Sequence, residues 1–116
     1  MNDCLFCRIA TGAISTKLIW SNEEFVAFRD IDPRAPVHVL VVPRRHLDSL
    51  AALAEEDPAY AGRFVRAAVA VAGREGLLDP ERGFRFVANT GPEGGQSVAH
   101  LHAHILGGRA LAWPPG

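Results

Sequence analysis

Hydrophobic and polar positions follow two different periods along this chain, and these periods predict its strands and helices. Short apolar runs over 17–20 and 24–29, separated by turn-forming residues, predict a β-hairpin. The run over 38–42 is β-branched and almost wholly apolar, as expected of a central strand buried on both faces. Alternation over 84–87 and over 98–106 predicts two further strands.

The helical pattern is concentrated in the middle of the chain. Asp57 is a suitable N-cap, Pro58 suits the first helical turn, and apolar residues then recur every three or four positions. A shorter helix over 50–55 precedes it, and the first 14 residues predict a knuckle or a short helical turn. This order predicts an α+β fold: one domain over 1–116 with a largely antiparallel five-stranded sheet, one main helix and a short one.

Composition and charge exclude several classes of function. The 116 residues carry 12 basic and 13 acidic side chains, so no field of one sign can gather nucleic acid or an anionic membrane surface. No apolar run approaches the roughly 20 residues that a membrane span needs. The N-terminus lacks a basic stretch leading into an apolar core. We therefore expect a cytoplasmic protein without a nucleic-acid or membrane partner.

Three of the five histidines, His100, His102 and His104, fall within five residues. In a strand, positions two apart share a face, so we expect the three imidazoles to point the same way. The preceding Gly-Gly-Gln-Ser loop over 94–97 offers unhindered N–H groups that suit a phosphate. Because neutral imidazole is a nucleophile near pH 7, the pattern predicts a metal site or attack on phosphorus. One zinc ion held by all three is disfavoured, since they would span ~13 Å at ~3.3 Å per residue.

Both cysteines of the chain lie in one Cys-x-x-Cys motif, at Cys4 and Cys7. The residues alone allow three interpretations: a zinc site, a redox dithiol, or two idle thiols. A thioredoxin-type dithiol is expected to follow a strand, and only three residues precede Cys4. A zinc site would need two further ligands.

Several motifs spread along the chain occur together in one protein family. They cover 28–33 with 35–36, 41–46, 89–91, 94–98 with the three clustered histidines, 106–109 and 113–116. On these motifs the sequence resembles the histidine triad (HIT) family of nucleotide hydrolases and transferases, and within it the Hint branch of nucleoside phosphoramidases. The most specific parts are Gln-Ser-x-x-His and Trp-Pro-Pro-Gly, and the agreement runs from about Cys4 to the last residue.

The resemblance implies a role for each matching residue. His102 is implied to be the nucleophile that forms a transient nucleotidyl-imidazole, while His104 and His38 orient the ring and the phosphate. Ser97 is implied to assist the leaving amine. Further nucleotide contacts are implied at Asp30, Ile31, Asn89, Gly95, Gln96 and Ser97, together with His102 and His104. Asp30 would equally suit a turn before the prolines that follow it, and both interpretations stay open here.

The resemblance also implies a structural zinc ion, with the ligands Cys4, Cys7, His46 and His100. Strict alternation would place His100 on the face of His102, so its use as a zinc ligand requires a bend or an edge position. No organic cofactor is expected.

The expected function is hydrolysis of P–N bonds in purine nucleoside 5′-phosphoramidates, AMP or GMP derivatives, by a cytoplasmic homodimer. The dimer is expected because the main helix has apolar positions beyond one stripe and because the stiff tail over 113–116 can lie on a neighbour. The resemblance implies that the two sheets join into one continuous sheet. Two alternatives are hydrolysis of dinucleoside polyphosphates and a nucleotide-binding adaptor with vestigial catalysis.

Overall fold

The computed structural model describes residues 3–116, which form an α+β fold around one five-stranded antiparallel sheet. The strands are β1 Leu18–Ser21, β2 Phe25–Arg29, β3 Val37–Pro43, β4 Arg85–Val87 and β5 Ala103–Gly107. Their spatial order is β1-β2-β3-β5-β4, and every neighbouring pair is antiparallel. The predicted fold class, the hairpin and the central position of β3 are therefore confirmed.

Within residues 3–116, one long helix and three short ones accompany the sheet. They are α1 Leu5–Thr11, α2 Leu50–Leu53, α3 Pro58–Arg74 and α4 Gly91–Gly94. The Asp57 side chain accepts from the N–H of Ala59, so the predicted N-cap of α3 is present. The predicted short helix is present as α2, and α1 is the helical one of the two alternatives, a knuckle or a short helical turn, that we expected for the first 14 residues. In contrast, α4 occupies a segment that we expected to be a loop. Among the described residues, no helix is both long and apolar enough to cross a membrane.

Both faces of the sheet are covered, which explains why β2 and β3 are apolar at successive positions. On one face, Phe25 and Ala27 of β2 pack in the main core with Phe64 of α3. On the other face, Val26 and Phe28 pack in a second core beneath α1. Because side chains alternate across a strand, each face receives every second residue. This second, smaller core places α1 next to the segment that carries the three clustered histidines.

The last strand is shorter than predicted, and this difference determines the geometry of the site. Strand β5 begins at Ala103, whereas the prediction extended it back to residue 98. The pairing of β5 with β3 would have to continue towards Pro43. The Pro43 carbonyl accepts from Nε2 of His100, and proline has no N–H to donate to a neighbouring strand. The prediction that three histidines share one strand face is wrong, because His100 and His102 lie before the strand.

Candidate functional site: two clusters of histidines

A cluster of two cysteines and two histidines lies where α1 meets the segment before β5. Nδ1 of His100 lies 3.3 Å from Sγ of Cys4 and 3.4 Å from Sγ of Cys7. Nδ1 of His46 lies 3.3 Å from the same Cys7 sulfur. The four possible ligand atoms are all within 4.8 Å of one another. The structure thus brings together the four residues that the sequence predicted as metal ligands.

The hydrogen bonds on the far side of both imidazoles define which nitrogen faces the sulfurs. Nε2 of His100 donates to the Pro43 carbonyl at 2.8 Å, and Nε2 of His46 donates to Oδ1 of Asp48 at 2.9 Å. A carbonyl and a carboxylate only accept, so in the neutral tautomer of each ring Nε2 carries the proton and Nδ1 keeps its lone pair. Such outer partners are typical of histidines that bind a metal.

The donor set fits a zinc ion. Zinc prefers cysteine sulfur and histidine nitrogen in tetrahedral sites, where bonds of about 2.3 and 2.05 Å place S and N about 3.6 Å apart. The S–N separations of 3.3–3.4 Å in this cluster are close to that spacing. Burial lowers the pKa of His100, which keeps its ring neutral and able to bind a metal.

The second cluster consists of Asp30, His38 and His104. His102 lies beside it, with one ring nitrogen hydrogen-bonded and the other available. Nδ1 of His102 donates to the His100 carbonyl at 2.8 Å, so in the neutral ring Nε2 keeps the lone pair. The Phe6 ring packs edge-on against this imidazole with centroids 5.1 Å apart. This is the tautomer and restraint that a nucleophilic imidazole requires.

A chain of hydrogen bonds defines the protons on the other two rings. The Arg34 N–H donates to Nδ1 of His38 at 3.0 Å, so His38 carries its proton on Nε2. That Nε2–H faces Nδ1 of His104 at 2.9 Å and a carboxylate oxygen of Asp30 at 3.3 Å. Nδ1 of His104 is therefore the acceptor, and its Nε2 carries a proton. That buried Nε2 has no hydrogen-bond partner among the described residues, as expected of a donor reserved for a ligand.

Burial keeps the rings of His38 and His104 neutral. The pKa of His104 is lowered to about 4, mainly by desolvation and further by the neighbouring His102 and His38 rings. Desolvation also lowers the pKa of His38, although Asp30 opposes the shift. At neutral pH both rings are therefore uncharged hydrogen-bonding groups.

His102 and His104 line a cleft of about 290 Å³ whose lining is mostly apolar. Asp30, Ile31, Ser97 and Val98 also line it, so several of the predicted nucleotide contacts face one cavity. The apolar lining comes from Leu5, Phe6, Ile9, Phe28 and Leu40. His38 does not line the cleft, and it contacts two residues that do, His104 and Asp30.

The side chain of Gln96 holds the loop before the histidines by hydrogen bonds. Its amide nitrogen donates to the carbonyls of Asp48 and Val98, and its oxygen accepts from the Gly91 N–H. Gly95 ends α4 with a positive φ of 80°, which favours glycine. Gln96 thus holds the loop in place through main-chain partners. Contact of Gln96, Gly95 or Asn89 with a phosphate stays a prediction.

Asp30 has both properties that the sequence left open. Its Oδ1 accepts from the Asp32 N–H at 2.8 Å, as in an Asx turn, while the residue also lines the cleft. Asp32 pairs with Arg34 at 2.8 Å on the exposed loop.

Sequence reasoning missed three contributors to the site. Phe6 lies between the two cysteines, and its apolar identity within the Cys-x-x-Cys motif was the available signal. The Pro43 carbonyl and the Arg34 N–H are main-chain groups, so no side-chain pattern could have indicated them.

The fold and site define the class of protein: an α+β domain with a His-x-His-x-His segment entering an antiparallel sheet beside an apolar cleft. A profile of the HIT domain matches residues 11–111. An uncharacterized HIT-like protein of Synechococcus elongatus is 44% identical over 114 residues, covering 98% of this chain and 97% of that protein. The chain belongs to the HIT family.

Solved structures of the family agree with this assignment. A HIT family hydrolase from Legionella pneumophila superposes with a TM-score of 0.91 at 39% identity, covering 98% of this chain and all of that one. A histidine triad protein from Clostridium difficile gives 0.87 at 38% identity, covering 97% and 96% of the two chains. A histidine triad nucleotide-binding protein from Candida albicans gives 0.80 at 26% identity, covering 97% and 83%.

Proposed function

We propose that this protein hydrolyses P–N bonds in purine nucleoside 5′-phosphoramidates through a nucleotidyl intermediate on His102, as in the Hint branch that its sequence resembles. The observation that carries the proposal is the His102 tautomer, which leaves the lone pair of Nε2 for the cleft. The names of two structural neighbours, a hydrolase and a nucleotide-binding protein, support the same class of reaction.

The reaction proceeds in two displacements at the α-phosphorus. Nε2 of His102 attacks phosphorus, the P–N bond breaks, and the Ser97 hydroxyl donates its proton to the departing amine. Water then attacks the nucleotidyl-imidazole: its oxygen bonds to phosphorus, the P–N bond to His102 breaks, and its proton restores the Ser97 hydroxyl. The nucleoside monophosphate leaves and the His102 ring is neutral again. Two displacements through a covalent intermediate replace one difficult step.

His104 stabilises the phosphoryl oxygen during both displacements. Its buried Nε2–H has no protein partner and lies on the ring next to the nucleophile, with centroids 5.0 Å apart. A fixed donor aimed at developing negative charge stabilises the transition state more than water does. His38 acts through His104 as a positioning residue.

The apolar part of the cleft receives the nucleoside. Its aliphatic and aromatic lining offers a slot for a purine ring, and the Asp30 carboxylate at the rim can accept from ribose hydroxyls. Ile31 is wholly exposed at the same rim, where a bound base would cover it.

The cysteine–histidine cluster is proposed to hold a structural zinc ion. Zinc would cross-link α1 to the segment before β5, with Cys4, Cys7, His46 and His100 as ligands. Reduced thiols are needed for this role, which agrees with the proposed cytoplasmic location.

A homodimer is part of the proposal. Val65 and Val69 of α3 are 53% and 40% exposed, and Phe86 of the edge strand β4 is 38% exposed. A two-fold axis lets the same apolar patch serve both chains and lets edge strands pair into a continuous sheet. Trp113, 80% exposed, is then free to approach the partner.

The test compares two substrates in one preparation: an adenosine 5′-phosphoramidate and a diadenosine polyphosphate. We expect faster turnover of the phosphoramidate, and faster turnover of the dinucleotide would favour the alternative hydrolase. Tight AMP binding without turnover of either would identify an adaptor.

A further inference from the structure

The donor that His104 presents to the cleft depends on a main-chain group in the loop over 30–36. His38 has its proton on Nε2 because the Arg34 N–H occupies Nδ1. If that N–H moved away, the Nδ1–H tautomer of His38 would become accessible. Its Nε2 would then accept from His104, and Nε2 of His104 would present a lone pair to the phosphate. The Arg34 N–H on one side of His38, together with the Asp30 carboxylate near its Nε2, thus determines whether Nε2 of His104 attracts or repels an anion.

The position of Arg34 is fixed from outside the site by the segment that follows β5. The guanidinium of Arg109 donates through one terminal nitrogen to the Arg34 carbonyl at 2.8 Å and through the other to the Ala110 carbonyl at 3.0 Å. Arg109 makes no ion pair among the described residues, since both donations go to carbonyls.

A second contact joins the same two segments. Gly108 has a φ of +90°, and a Cβ there would lie 2.8 Å from Cβ of Pro36. The segment after β5 therefore packs directly against the loop, with no room for a side chain. This packing fixes the position of the backbone at Arg109, and the Arg109 side chain extends from there to the loop.

We infer that Arg109 is a positioning residue for the histidine triad: by holding Arg34 it keeps the His38 tautomer that makes Nε2 of His104 a donor. This inference rests on the proposed function for its catalytic consequence, whereas the tautomer itself is a property of the resting protein. The hydrogen bonds of Arg109 go to Arg34 and Ala110, neither of which lines the cleft. The effect of Arg109 therefore passes through Arg34, His38 and His104 in that order.

The primary test is ¹⁵N NMR of the histidine rings in the intact protein, with hydrogen exchange of the Arg34 amide beside it. In the wild type, His38 should show the Nε2–H tautomer and His102 the Nδ1–H tautomer, which serves as an internal reference. Arg109→Ala should give a mixture of tautomers at His38 and faster exchange at Arg34, with His102 unchanged. An unchanged His38 pattern and unchanged Arg34 exchange would overturn the inference.

Two further variants separate positioning from general loosening of the chain. Arg85→Ala removes a similar donation to the tail carbonyls of Leu111 and Ala112, without touching the loop, and should leave the His38 signals unchanged. Arg109→Lys keeps a donor and should restore the wild-type tautomer. Equal changes at His38 in Arg85→Ala and Arg109→Ala would contradict a specific role.

The kinetic arm uses an adenosine phosphoramidate. Because a single hydrogen bond contributes modestly, we expect Arg109→Ala to lower kcat about fivefold while KM changes less than about twofold. An Arg109→Ala enzyme with wild-type kcat would contradict the inference and leave the proposed function intact. A wild type that turns over no phosphoramidate would refute the proposed function, while the NMR experiment would still decide the tautomer.

Discussion

The two histidine clusters use similar side chains for opposite purposes. Each offers three or more ligand-type atoms within 4.8 Å of one another. In the cysteine–histidine cluster, outer carbonyl and carboxylate partners take the N–H groups, so nitrogen lone pairs converge on two sulfurs. In the Asp30–His38–His104 cluster, Nδ1 of each histidine accepts from an N–H, so the series of hydrogen bonds ends at a donor, Nε2–H of His104.

The difference lies in the groups behind the rings and not in the residue types. When one ring nitrogen of a neutral histidine donates to a carbonyl, the other ring nitrogen keeps its lone pair. When one ring nitrogen accepts from an N–H, the other ring nitrogen carries the proton. The first arrangement suits a cation and the second suits an anion. His102 links the two clusters, because the carbonyl that sets its tautomer belongs to His100.

The largest effect should follow from removing the nucleophile. His102→Ala leaves no nitrogen to form the nucleotidyl intermediate, so turnover should fall by more than about 10⁴-fold. His104→Asn, which removes only the stabilising imidazole, should lower turnover by about 10²–10³-fold. Steady-state kinetics with one phosphoramidate measures both. A His102→Ala enzyme that retains a tenth of the rate would contradict the covalent route.

Removing a sulfur should affect the other cluster and its fold. Cys7→Ser is expected to abolish binding of the proposed zinc ion and to lower the free energy of unfolding by several kcal/mol, because metal binding contributes directly to folding. Metal analysis and chemical denaturation test this. His38→Asn is the matched control and should retain its zinc. If wild-type protein prepared without chelators contains no zinc, the zinc site is contradicted. The two cysteines would then be a redox dithiol or two idle thiols.

The Asp30–His38–His104 cluster should make stability depend on pH. The pKa of His104 is lowered to about 4 in the folded protein, below an unfolded value of about 6.5. The unfolded chain therefore binds more protons between these values, and stability that is present above pH ~6.5 is lost as the pH falls toward ~4, by about 3 kcal/mol. His104→Asn should flatten this dependence in urea titrations. An equal slope in the variant would assign the pH dependence to other groups.

A smaller effect than those of His102 and His104 is expected on the leaving group. If Ser97 helps to protonate the departing amine, Ser97→Ala should slow poor leaving groups by about tenfold and activated ones hardly at all. A series of phosphoramidates with amines of graded basicity measures the difference. Uniform slowing across the series would reduce Ser97 to a phosphate contact.

Much of the fold and of the site's composition could be predicted from the sequence. The apolar run of β3 and the cap at Asp57 follow from local physical chemistry, and their predictions are confirmed. The start of β5 could not be predicted, because it depends on His100 donating across the chain to Pro43. For the same reason the separation of His100 from His102 required the tertiary structure.

The most direct test of the central claim is detection of the covalent intermediate. Protein mixed with an adenosine phosphoramidate, quenched within milliseconds at alkaline pH and examined by intact mass spectrometry, should carry one adenylyl group. Peptide mapping should place that group on His102, and His102→Ala should show none. Product formation by the wild type with no adduct at any time before steady state, or an adduct on another residue, would contradict the account.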